Sequence, residues 1–398
     1  MRIGLIAEHY PPTHGGVATS ARRIARSLAA AGADVHVLCF DTTGPVSVAD
    51  YVREEVDGSV RVSRVGPFFL KNRDIPQEAL PEKVRAILRR RAFEQMTRLA
   101  RGSGREAILS LYVLNAGFIA AMVARELGLP HLLGVRGNDV GRNLFHVDRF
   151  GIVSWTLHAA DTIVCVNHFL RHRLLLAHPD LAERCNVVPN GVHVPPRIDR
   201  ERARARLLAA TGWSSDSVIF GFAGVMREKK GVVSIVDAAH ELDGGSLARL
   251  LVVGPDLGPI ERVMLGERWD RLCRAGRIHV TGTVERDRVN SYMAGADVVL
   301  MPSIDDGMAN ALLEGMALGL PALASDVFSD VVDDGRTGWI ATRGDAASLV
   351  ATVRTAETSP LLEAMGRKAR AHVAKAHRPS DEAQAYLKLL EECLDGGG

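Results

Sequence analysis

Short apolar runs alternate with longer amphipathic stretches along most of the chain. In the first half, the apolar runs and the helices predicted between them are IGLIA (3–7), a helix near 16–31, VHVLCF (35–40), AILSLYV (107–113), a helix near 116–127, HLLGV (131–135), a helix near 148–159 and TIVCV (162–166). Strands that alternate with helices are typical of a parallel sheet with helices on both faces. The pattern therefore predicts a doubly wound α/β domain.

A second series of the same kind follows a break in the pattern. After NVVPNGV at 186–192, two prolines and a run of charges interrupt the alternation, so we place a domain boundary near 194. The second series comprises VIFGFAGV (218–225), a helix near 231–241, RLLVVG (249–254), RIHVTG (277–282), DVVLMPS (297–303), a helix near 309–318, PALAS (321–325) and GWIA (338–341). The predicted fold class is α/β, with two facing Rossmann-like doubly wound domains. Because ligands of open α/β sheets bind at the carboxyl ends of the strands, we expect the active site in the cleft between the domains.

Composition and charge are those of a globular protein. Hydrophobic residues make up 47% of the 398 residues and charged residues 24%, and the net charge of +2 offers no field that would attract nucleic acid. The five cysteines show no CxxC pair and no metal-like spacing, so we expect reduced cytosolic thiols. The first apolar run is too short for a signal-peptide core, and no run approaches the roughly 18 residues of a membrane helix. We therefore expect a soluble, cytoplasmic protein without a nucleic-acid partner.

One basic amphipathic segment is a candidate for peripheral contact with the inner face of the membrane. Arginines flank an apolar face on the helix predicted within 83–105. The residues of that face are Val84, Ile87, Leu88, Met96 and Leu99. A helix of this kind can lie on an anionic bilayer. The alternative is a surface helix that packs its apolar face on its own domain.

The segment PSIDDGMANALLEGM at 302–316 carries two acids at a defined spacing. Asp306 precedes Glu314 by eight positions, which is about 12 Å of helical rise. Two carboxylates so spaced could reach both ends of a nucleotide sugar, since each can accept two hydroxyl hydrogen bonds. The helix start is also a cradle for a diphosphate, through the amides of Gly307, Met308, Ala309 and Asn310. The alternative is that Asp306 is a helix N-cap and Glu314 a solvated helix residue.

Basic residues follow the first predicted strand of the second domain, and two glycines follow the first predicted strand of the first domain. In FAGVMREKKG, Arg227, Lys229 and Lys230 come after a strand and could neutralise the charge on a departing diphosphate, although an ordinary basic turn is the alternative. In EHYPPTHGG, Gly15 and Gly16 precede a helix. Glycines there let the backbone approach a phosphate or sugar closely, although a simple turn fits equally well.

Polar residues after strands of the first domain are the candidates for binding the acceptor. Arg136, Asn138 and Asp139 follow HLLGV and should face the cleft, although Asp139 could equally cap the next helix. The loop after the first strand adds His9 and His14. The histidines show no metal spacing, and the adjacent acids do not form a DxD motif. We therefore predict no metal and no other cofactor.

Taken in this order, these segments resemble the glycosyltransferases of family 4, which have the GT-B fold. The glycine pair before the first helix, PNGV at 189–192, the REKKG turn, TGTV at 281–284 and PS followed by two spaced acids all fall where that family has them. The resemblance covers nearly the whole chain. It implies an acceptor-binding domain over 1–193, a nucleotide-sugar-binding domain over 194–376, and a C-terminal segment, 377–398, that crosses back to the first domain.

The resemblance also implies roles for single residues. Glu314 matches the second acid of the family's EX7E motif and would hold the ribose hydroxyls, and Asp306 matches the first acid and would contact the transferred sugar. The other implied donor contacts are Lys230 and the amide of Gly16 at the diphosphate, and the backbone of Thr283 and Val284 at the base.

Four positions depart from the family pattern. Asp306 stands where glutamate is usual, which shortens its reach by about one methylene, roughly 1.5 Å. Val225 stands where an arginine commonly meets the diphosphate, so we expect Arg227 to substitute. Arg136 stands where many members have a histidine near the reaction centre, and SDVFSDVV at 325–332 is shorter than the family's glycine-containing loop. Such changes either tune donor choice or mark a protein that binds without transferring sugar.

The predicted function is retaining transfer of a hexose or an N-acetylhexosamine from a nucleotide sugar, preferably a UDP-sugar, to a hydroxyl acceptor. The acceptor is a glycan, a lipid carrier or a small natural product. Catalysis would rest on positioning and charge stabilisation by Asp306, Lys230, Arg227 and Arg136. Two alternatives stay open: a nucleotide-sugar epimerase or hydrolase on the same fold, and a non-catalytic nucleotide-sugar-binding protein.

Overall fold

The computed structural model describes residues 1–13, 15–41, 49–67, 82–242 and 245–395, without the side chain of Asn138. The chain forms two compact units: unit 1 comprises Met1–Gly191 and the segment that begins at Pro379, and unit 2 comprises Val192–Arg378.

The chain passes between the units twice, at 191/192 and 378/379. The limits expected from the sequence, 193/194 and 376/377, each lie two residues away. Backbone hydrogen bonds give the reason for the difference. The N–H of Gly191 donates to Glu382 of unit 1, whereas the N–H of Val192 donates to the carbonyl of His377 in unit 2.

Unit 1 is built on an eight-stranded sheet. Its strands are β1 (Arg2–Ala7), β2 (Asp34–Phe40), β3 (Tyr51–Asp57), β4 (Val60–Gly66), β5 (Ala107–Leu111), β6 (His131–Val135), β7 (Thr162–Cys165) and β8 (Cys185–Val187). They lie in the order β3-β4-β2-β1-β5-β6-β7-β8, and all neighbours are parallel except the hairpin β3/β4. The helices up to Gly191 are α1 (Gly16–Ala30), α2 (Glu82–Gly102), α3 (Phe118–Leu127), α4 (Asn138–Gly141), α5 (Val147–Ala159) and α6 (His168–Ala177).

The central strands of unit 1 are buried on both faces. On β1, Leu5 packs in one cluster with Ile24 of α1, and the next residue, Ile6, packs in a second cluster with Met96 of α2 and Ile119 of α3. Successive strand residues point to opposite faces, so an apolar run supplies both cores at once. This explains why the apolar runs of the sequence mark these strands.

The basic amphipathic segment 83–105 forms α2. Leu88 and Met96 are buried in the second cluster, and Val84 and Leu99 pack at its edge, whereas Ile87 remains 43% exposed. Most of the apolar face is thus used inside unit 1, which agrees with the packing alternative. Within the described ranges, the helices are either too short or too polar to cross a bilayer.

Unit 2 is built on a six-stranded parallel sheet. Its strands are β9 (Val218–Ala223), β10 (Ala248–Val253), β11 (Ile278–Val280), β12 (Val298–Met301), β13 (Ala322–Ser325) and β14 (Gly338–Ala341), in the order β11-β10-β9-β12-β13-β14. Its helices are α7 (Arg200–Thr211), α8 (Val232–Glu241), α9 (Pro259–Arg274), α10 (Arg286–Met293), α11 (Asn310–Ala317), α12 (Ala346–Glu357) and α13 (Leu362–Ala376). This strand order is that of a Rossmann-type domain.

The last helix, α14 (Pro379–Asp395), returns to unit 1 and packs on α1. A buried ion pair fastens it there. The guanidinium of Arg23 donates two hydrogen bonds, of 2.8 and 2.9 Å, to the carboxylate of Glu382, which also accepts the N–H of Gly191 at 3.0 Å. The side chains of Arg23 and Glu382 are 8% and 1% exposed.

We expect Glu382→Ala to lower the free energy of unfolding of unit 1 by about 3–5 kcal/mol, because it leaves the buried guanidinium of Arg23 without a counter-charge. Glu392→Ala on the same helix is the matched control. Its carboxylate is 58% exposed and pairs with Lys388, so its removal should cost less than about 1 kcal/mol. Urea unfolding followed by circular dichroism measures both variants. Equal losses of stability would contradict the role given to the buried pair.

Some elements differ from the sequence prediction. The strand predicted over 107–113 ends at Leu111, because the backbone of Tyr112 turns into the left-handed region with φ of 86°. The strands β3, β4 and β8 were not predicted. β3 is an edge strand whose sequence, YVREEVD, carries charges on an exposed face, so it lacks the apolar run that marks the central strands.

Candidate functional site

The carboxyl ends of β9 and β12 form the topological switch point of unit 2. The two strands are neighbours, but the chain continues from β9 to one side of the sheet and from β12 to the other. Ligands of open α/β sheets bind at such a point. The segments that leave it are 224–231, named here the β9 loop, and 302–309, named here the β12 loop.

The two loops are held against each other by backbone contacts. The N–H groups of Ile304 and Asp305 donate to the carbonyl of Lys229, at 2.9 and 3.3 Å. Gly231 lies at the end of the β9 loop with φ of 80°, and a Cβ there would stand 2.0 Å from the carbonyl oxygen of Pro302. Glycine is therefore required where the loops approach.

Gly231→Ala tests this close approach. We expect it to lower the free energy of unfolding of unit 2 by about 1–2 kcal/mol for a side chain in the left-handed region, and by about 1–3 kcal/mol more for the overlap with Pro302. Gly335→Ala is the control, since Gly335 has φ of 71° but its added Cβ meets no described atom within 4 Å. Denaturant unfolding of both variants separates the two costs. If Gly335→Ala cost as much as Gly231→Ala, the contact with Pro302 would be irrelevant.

Lys230 and Asp306 bring the two loops together through their side chains. The ammonium of Lys230 makes a close ion pair with Oδ2 of Asp306, and Oδ1 accepts the N–H of Gly307 at 2.9 Å. Both side chains are mostly buried, at 21% and 12% exposure. Burial alone would raise the pKa of Asp306, but Lys230 and then Lys229 outweigh it and hold that pKa below its usual value. Burial lowers the pKa of Lys229.

Glu314 is the second acid of the site. It lies on α11, and its carboxylate pairs closely with the guanidinium of Arg286 at the start of α10. The side chain of Glu314 is 18% exposed, whereas that of Arg286 is 61% exposed. Glu314 is therefore not a solvated helix residue, and its partner can swing away into solvent.

The structure does not agree with the alternative in which Asp306 is the N-cap of α11. The N-cap of this helix is Ala309, and its side chain makes no cap hydrogen bond. Asp306 lies three residues earlier and bonds to Gly307, so it is not the N-cap. Gly307 contacts the carboxylate of Asp306, and Met308 and Asn310 follow it in the chain at the start of α11.

The other residues predicted to contact the donor lie on loops of unit 2. Arg227 is exposed on the β9 loop, and Val225 is half-buried two residues earlier. Thr283 and Val284 follow β11 and precede α10. In 325–332, a short turn buries Val327, Phe328, Val331 and Val332, and the hydroxyl of Ser325 donates to the carbonyl of Ser303 at 2.5 Å. This segment therefore contacts the β12 loop through Ser325.

An apolar cavity of about 60 Å³ lies elsewhere in unit 2, between the sheet and helices α8 and α12. Its lining includes Phe220, Leu250, Leu300 and Val353. It also includes Arg249 and Arg277, whose guanidinium groups donate to backbone carbonyls. The rest of the lining is apolar, so the switch point remains the predicted site of the donor.

Unit 1 has its own switch point between β1 and β5, since the strand order reverses there too. Gly15 is the N-cap of α1 with φ of 133°, and Gly16 is the first residue of the helix. Both glycines are exposed, and a Cβ on either would meet no described atom within 4 Å. They leave room for a ligand at the helix start.

Polar residues gather at this second switch point. Asn115 donates to Oε1 of Glu8 at 3.4 Å, and burial raises the pKa of Glu8 to about 7, partly offset by that hydrogen bond. Tyr112 is, in the described part of the chain, the one non-glycine residue with a positive φ. Strained backbone is concentrated at functional sites. Glu8, Asn115 and Tyr112 were not singled out from the sequence, although Glu8 is a charged residue directly after an apolar run.

The remaining predicted acceptor residues have different surroundings. Asp139 is fully buried and accepts the backbone N–H groups of Val113, at 3.2 Å, and of Arg136. It lies within α4 and bonds to residues that precede it in the chain, so it is not the N-cap of the next helix. Burial raises the pKa of Asp139 to about 6, against those hydrogen bonds. The guanidinium of Arg136 donates to Asn190 at 2.6 Å. His9 is half-buried after β1; His14 and the side chain of Asn138 lie outside the described residues.

Comparisons with known proteins agree with this organisation. A model described as Glycosyltransferase Family 4 matches residues 14–194, and one described as Glycosyl transferases group 1 matches residues 217–358. Alpha-maltose-1-phosphate synthase from Mycolicibacterium smegmatis is 26% identical over 297 residues, which cover 71% of this chain and 76% of that protein.

Solved structures share the fold. Sucrose-phosphate synthase from Thermosynechococcus elongatus has a TM-score of 0.76 at 19% identity, with 99% of each chain covered. HepE from Anabaena, in complex with UDP-glucose, has a TM-score of 0.72 at 16% identity, with 98% of this chain and 100% of that chain covered. Two parallel α/β units with these neighbours define the class of glycosyltransferases that have the GT-B fold. The chain belongs to glycosyltransferase family 4. The fold class and the family expected from the sequence are thereby confirmed.

Proposed function

We propose that this glycosyltransferase retains anomeric configuration and moves a hexose or an N-acetylhexosamine from a UDP-sugar to a hydroxyl group. The observation that carries the proposal is the joining of Lys230 and Asp306 at the switch point of unit 2, with Glu314 on the helix that follows. The UDP-glucose complex of a protein with the same fold supports UDP as the nucleotide.

The two ion pairs of the site hold its charged groups ready for the donor. A diphosphate would take over the ammonium of Lys230, which frees the carboxylate of Asp306 to accept hydroxyl hydrogen bonds from the sugar. In the same way, ribose hydroxyls would replace the exposed guanidinium of Arg286 at Glu314. Each acid then binds the donor without being left buried and unpaired, which would be costly.

The reaction breaks the bond between the anomeric carbon and the β-phosphate oxygen, and forms a bond from that carbon to the acceptor oxygen on the same face. The acceptor proton passes to an oxygen of the departing β-phosphate, so nucleoside diphosphate and glycoside are the products. Lys230, Arg227 and the start of α11 stabilise the charge that accumulates on the diphosphate. We propose that these groups supply the positive charge needed for transfer, without a metal or another cofactor.

Unit 1 is the proposed acceptor side. Its switch point offers Glu8, whose pKa of about 7 lets it either accept or donate a hydrogen bond near neutral pH, and His9 beside it. Arg136, held by Asn190, adds a cation. Gly16 is proposed to present its amide to the donor diphosphate. The acceptor class is a glycan, a lipid carrier or a small natural product that presents a hydroxyl group.

The stereochemistry of slow donor hydrolysis tests the proposal. Water can replace the acceptor, so we expect an α-linked UDP-hexose to release the α-hexose first, followed by mutarotation, when anomeric protons are observed by NMR. First release of the β-hexose would contradict retention. A new nucleotide sugar without release of UDP would favour an epimerase, and bound but unchanged donor would favour a non-catalytic binding protein.

A further inference from the structure

Three side chains of unit 1 that serve none of the roles above form a compact cluster. His158 lies in the last turn of α5, His178 directly follows α6, and Asp180 lies in the short turn Pro179–Arg184. One candidate ligand atom of each side chain lies within 4.8 Å of those of the other two. His178 and Asp180 are two residues apart, and His158 meets them because α5 contacts the segment that follows α6.

Both ring nitrogens of His158 face acceptors. Its Nδ1 lies 2.8 Å from the carbonyl oxygen of Ser154, one turn back on α5, and its Nε2 lies 2.8 Å from Oδ2 of Asp180. A neutral imidazole has one N–H, so it can donate to only one of them. With that proton on Nδ1, the lone pair of Nε2 points at a carboxylate. This contact needs a positive charge, either a second proton on the ring or a cation shared by the two groups.

His178 adds a second imidazole with an unused nitrogen. It is 5% exposed, its ring is stacked on Phe150 at 5.8 Å, and its edge meets the ring of His158 at a centroid distance of 5.2 Å. Within the described part of the chain, Nε2 of His178 has no hydrogen-bond partner. Burial, and then the neighbouring His158, lower the pKa of His178. Neutral imidazole is the form that binds a metal ion.

We propose that His158, His178 and Asp180 form a binding site for Zn²⁺, with a water molecule as fourth ligand. Two imidazoles and one carboxylate are a ligand set that suits zinc, whereas Mg²⁺ and Ca²⁺ prefer oxygen ligands alone. The hydrogen bond from Nδ1 of His158 to the carbonyl of Ser154 fixes the orientation of the ring. In metal sites, a ligating histidine commonly donates its other ring N–H to such a group.

Zinc binding requires the three ligand atoms to rearrange. The candidate atoms lie within 4.8 Å of one another, so the pairs that include His178 must close by up to about 1.4 Å. Tetrahedral ligands about 2.1 Å from zinc lie roughly 3.4 Å apart, so Nε2 of His158 and Oδ2 of Asp180 must separate by about 0.6 Å. Their side chains are 40% and 60% exposed and are free to move by that amount. A bound ion would join the end of α5 to the turn after α6 and so stabilise folded unit 1 by mass action.

Titration of the full-length, tag-free, chelator-treated protein with ZnCl₂ tests the site. His168 and His172 stand four residues apart on α6 and could bind zinc weakly, so His172→Ala is used as the background for every measurement. We expect calorimetry to find one equivalent of Zn²⁺ bound. In this background, Asp180→Asn and His178→Ala should each weaken Zn²⁺ binding at least about 10-fold. Replacing a residue that only hydrogen-bonds a metal ligand already lowers metal affinity by about 10–100-fold.

Thermal unfolding provides the second readout. At one Zn²⁺ concentration, the midpoint of the His172→Ala protein should rise by more than that of His172→Ala/Asp180→Asn, because weaker binding gives less stabilisation. Because Asp180 is 60% exposed, its replacement by asparagine is compatible with folding, which circular dichroism checks. The proposal is overturned if the His172→Ala protein shows no saturable binding, or if the two further variants bind Zn²⁺ as tightly as their background.

Discussion

Replacing Lys230 with methionine should lower kcat for sugar transfer by about 10²–10³-fold, equivalent to about 3–4 kcal/mol of transition-state stabilisation. The ammonium lies at the switch point and already pairs with a mostly buried carboxylate, so it is placed where the charge of the leaving diphosphate would develop. Methionine keeps much of the length and apolar volume of the lysine stem. The loss therefore reports on charge, and steady-state kinetics with the identified donor measures it.

Lys368→Met is the matched control for this substitution. Lys368 lies on α13 and is exposed, so its replacement should leave kcat within about twofold of the parent. Circular dichroism of both variants separates loss of catalysis from loss of fold. If Lys230→Met had the same kcat as Lys368→Met, Lys230 would have no role in the reaction.

Glu314→Ala should weaken donor binding by about 5–150-fold. A ribose clamp loses two hydrogen bonds, each worth about 0.5–1.5 kcal/mol, and each 1.4 kcal/mol corresponds to about tenfold in Kd. Calorimetric titration with the donor measures the change. An unchanged affinity would refute the assignment of Glu314 to the ribose.

Two further variants sharpen the test at Glu314. Glu363→Ala removes a helix glutamate of unit 2 that pairs with Arg367 but is 83% exposed, and it should leave donor affinity unchanged. Arg286→Ala removes the resting partner of Glu314 and should not weaken donor binding to the extent that Glu314→Ala does. If the Arg286 variant lost as much affinity as the Glu314 variant, the ion pair itself would be the binding element.

The central parallel strands were predictable because burial on both faces leaves a continuous apolar run. β6, HLLGV at 131–135, was predicted with its observed limits, and β9 began at the predicted residue. The edge hairpin β3/β4 could not be found in this way, since β3 faces solvent and carries charges. The backbone turn at Tyr112 depends on tertiary packing at the end of β5 and left no signal in the apolar pattern.

Candidate site residues could be predicted where they directly follow a strand, because the strand then determines where they lie in the fold. Lys230 and Asp306 follow neighbouring strands and do meet, because the carboxyl ends of parallel strands share one edge of the sheet. The pairing of Glu314 with Arg286 spans 28 residues of sequence and has no spacing signature. In the cluster around His178, Asp180 is close in sequence, but His158 is 22 residues from Asp180 and meets it only through contact of α5 with the segment after α6.

Binding and turnover of UDP-, GDP-, ADP- and TDP-sugars by the purified protein, without added metal or acceptor, tests the central claim most directly. We expect saturable binding of a UDP-sugar with slow release of UDP, and weaker binding of that donor by Glu314→Ala. Absence of binding by every donor in the panel would contradict the account, because it would leave a protein with the fold of a glycosyltransferase and without its substrate.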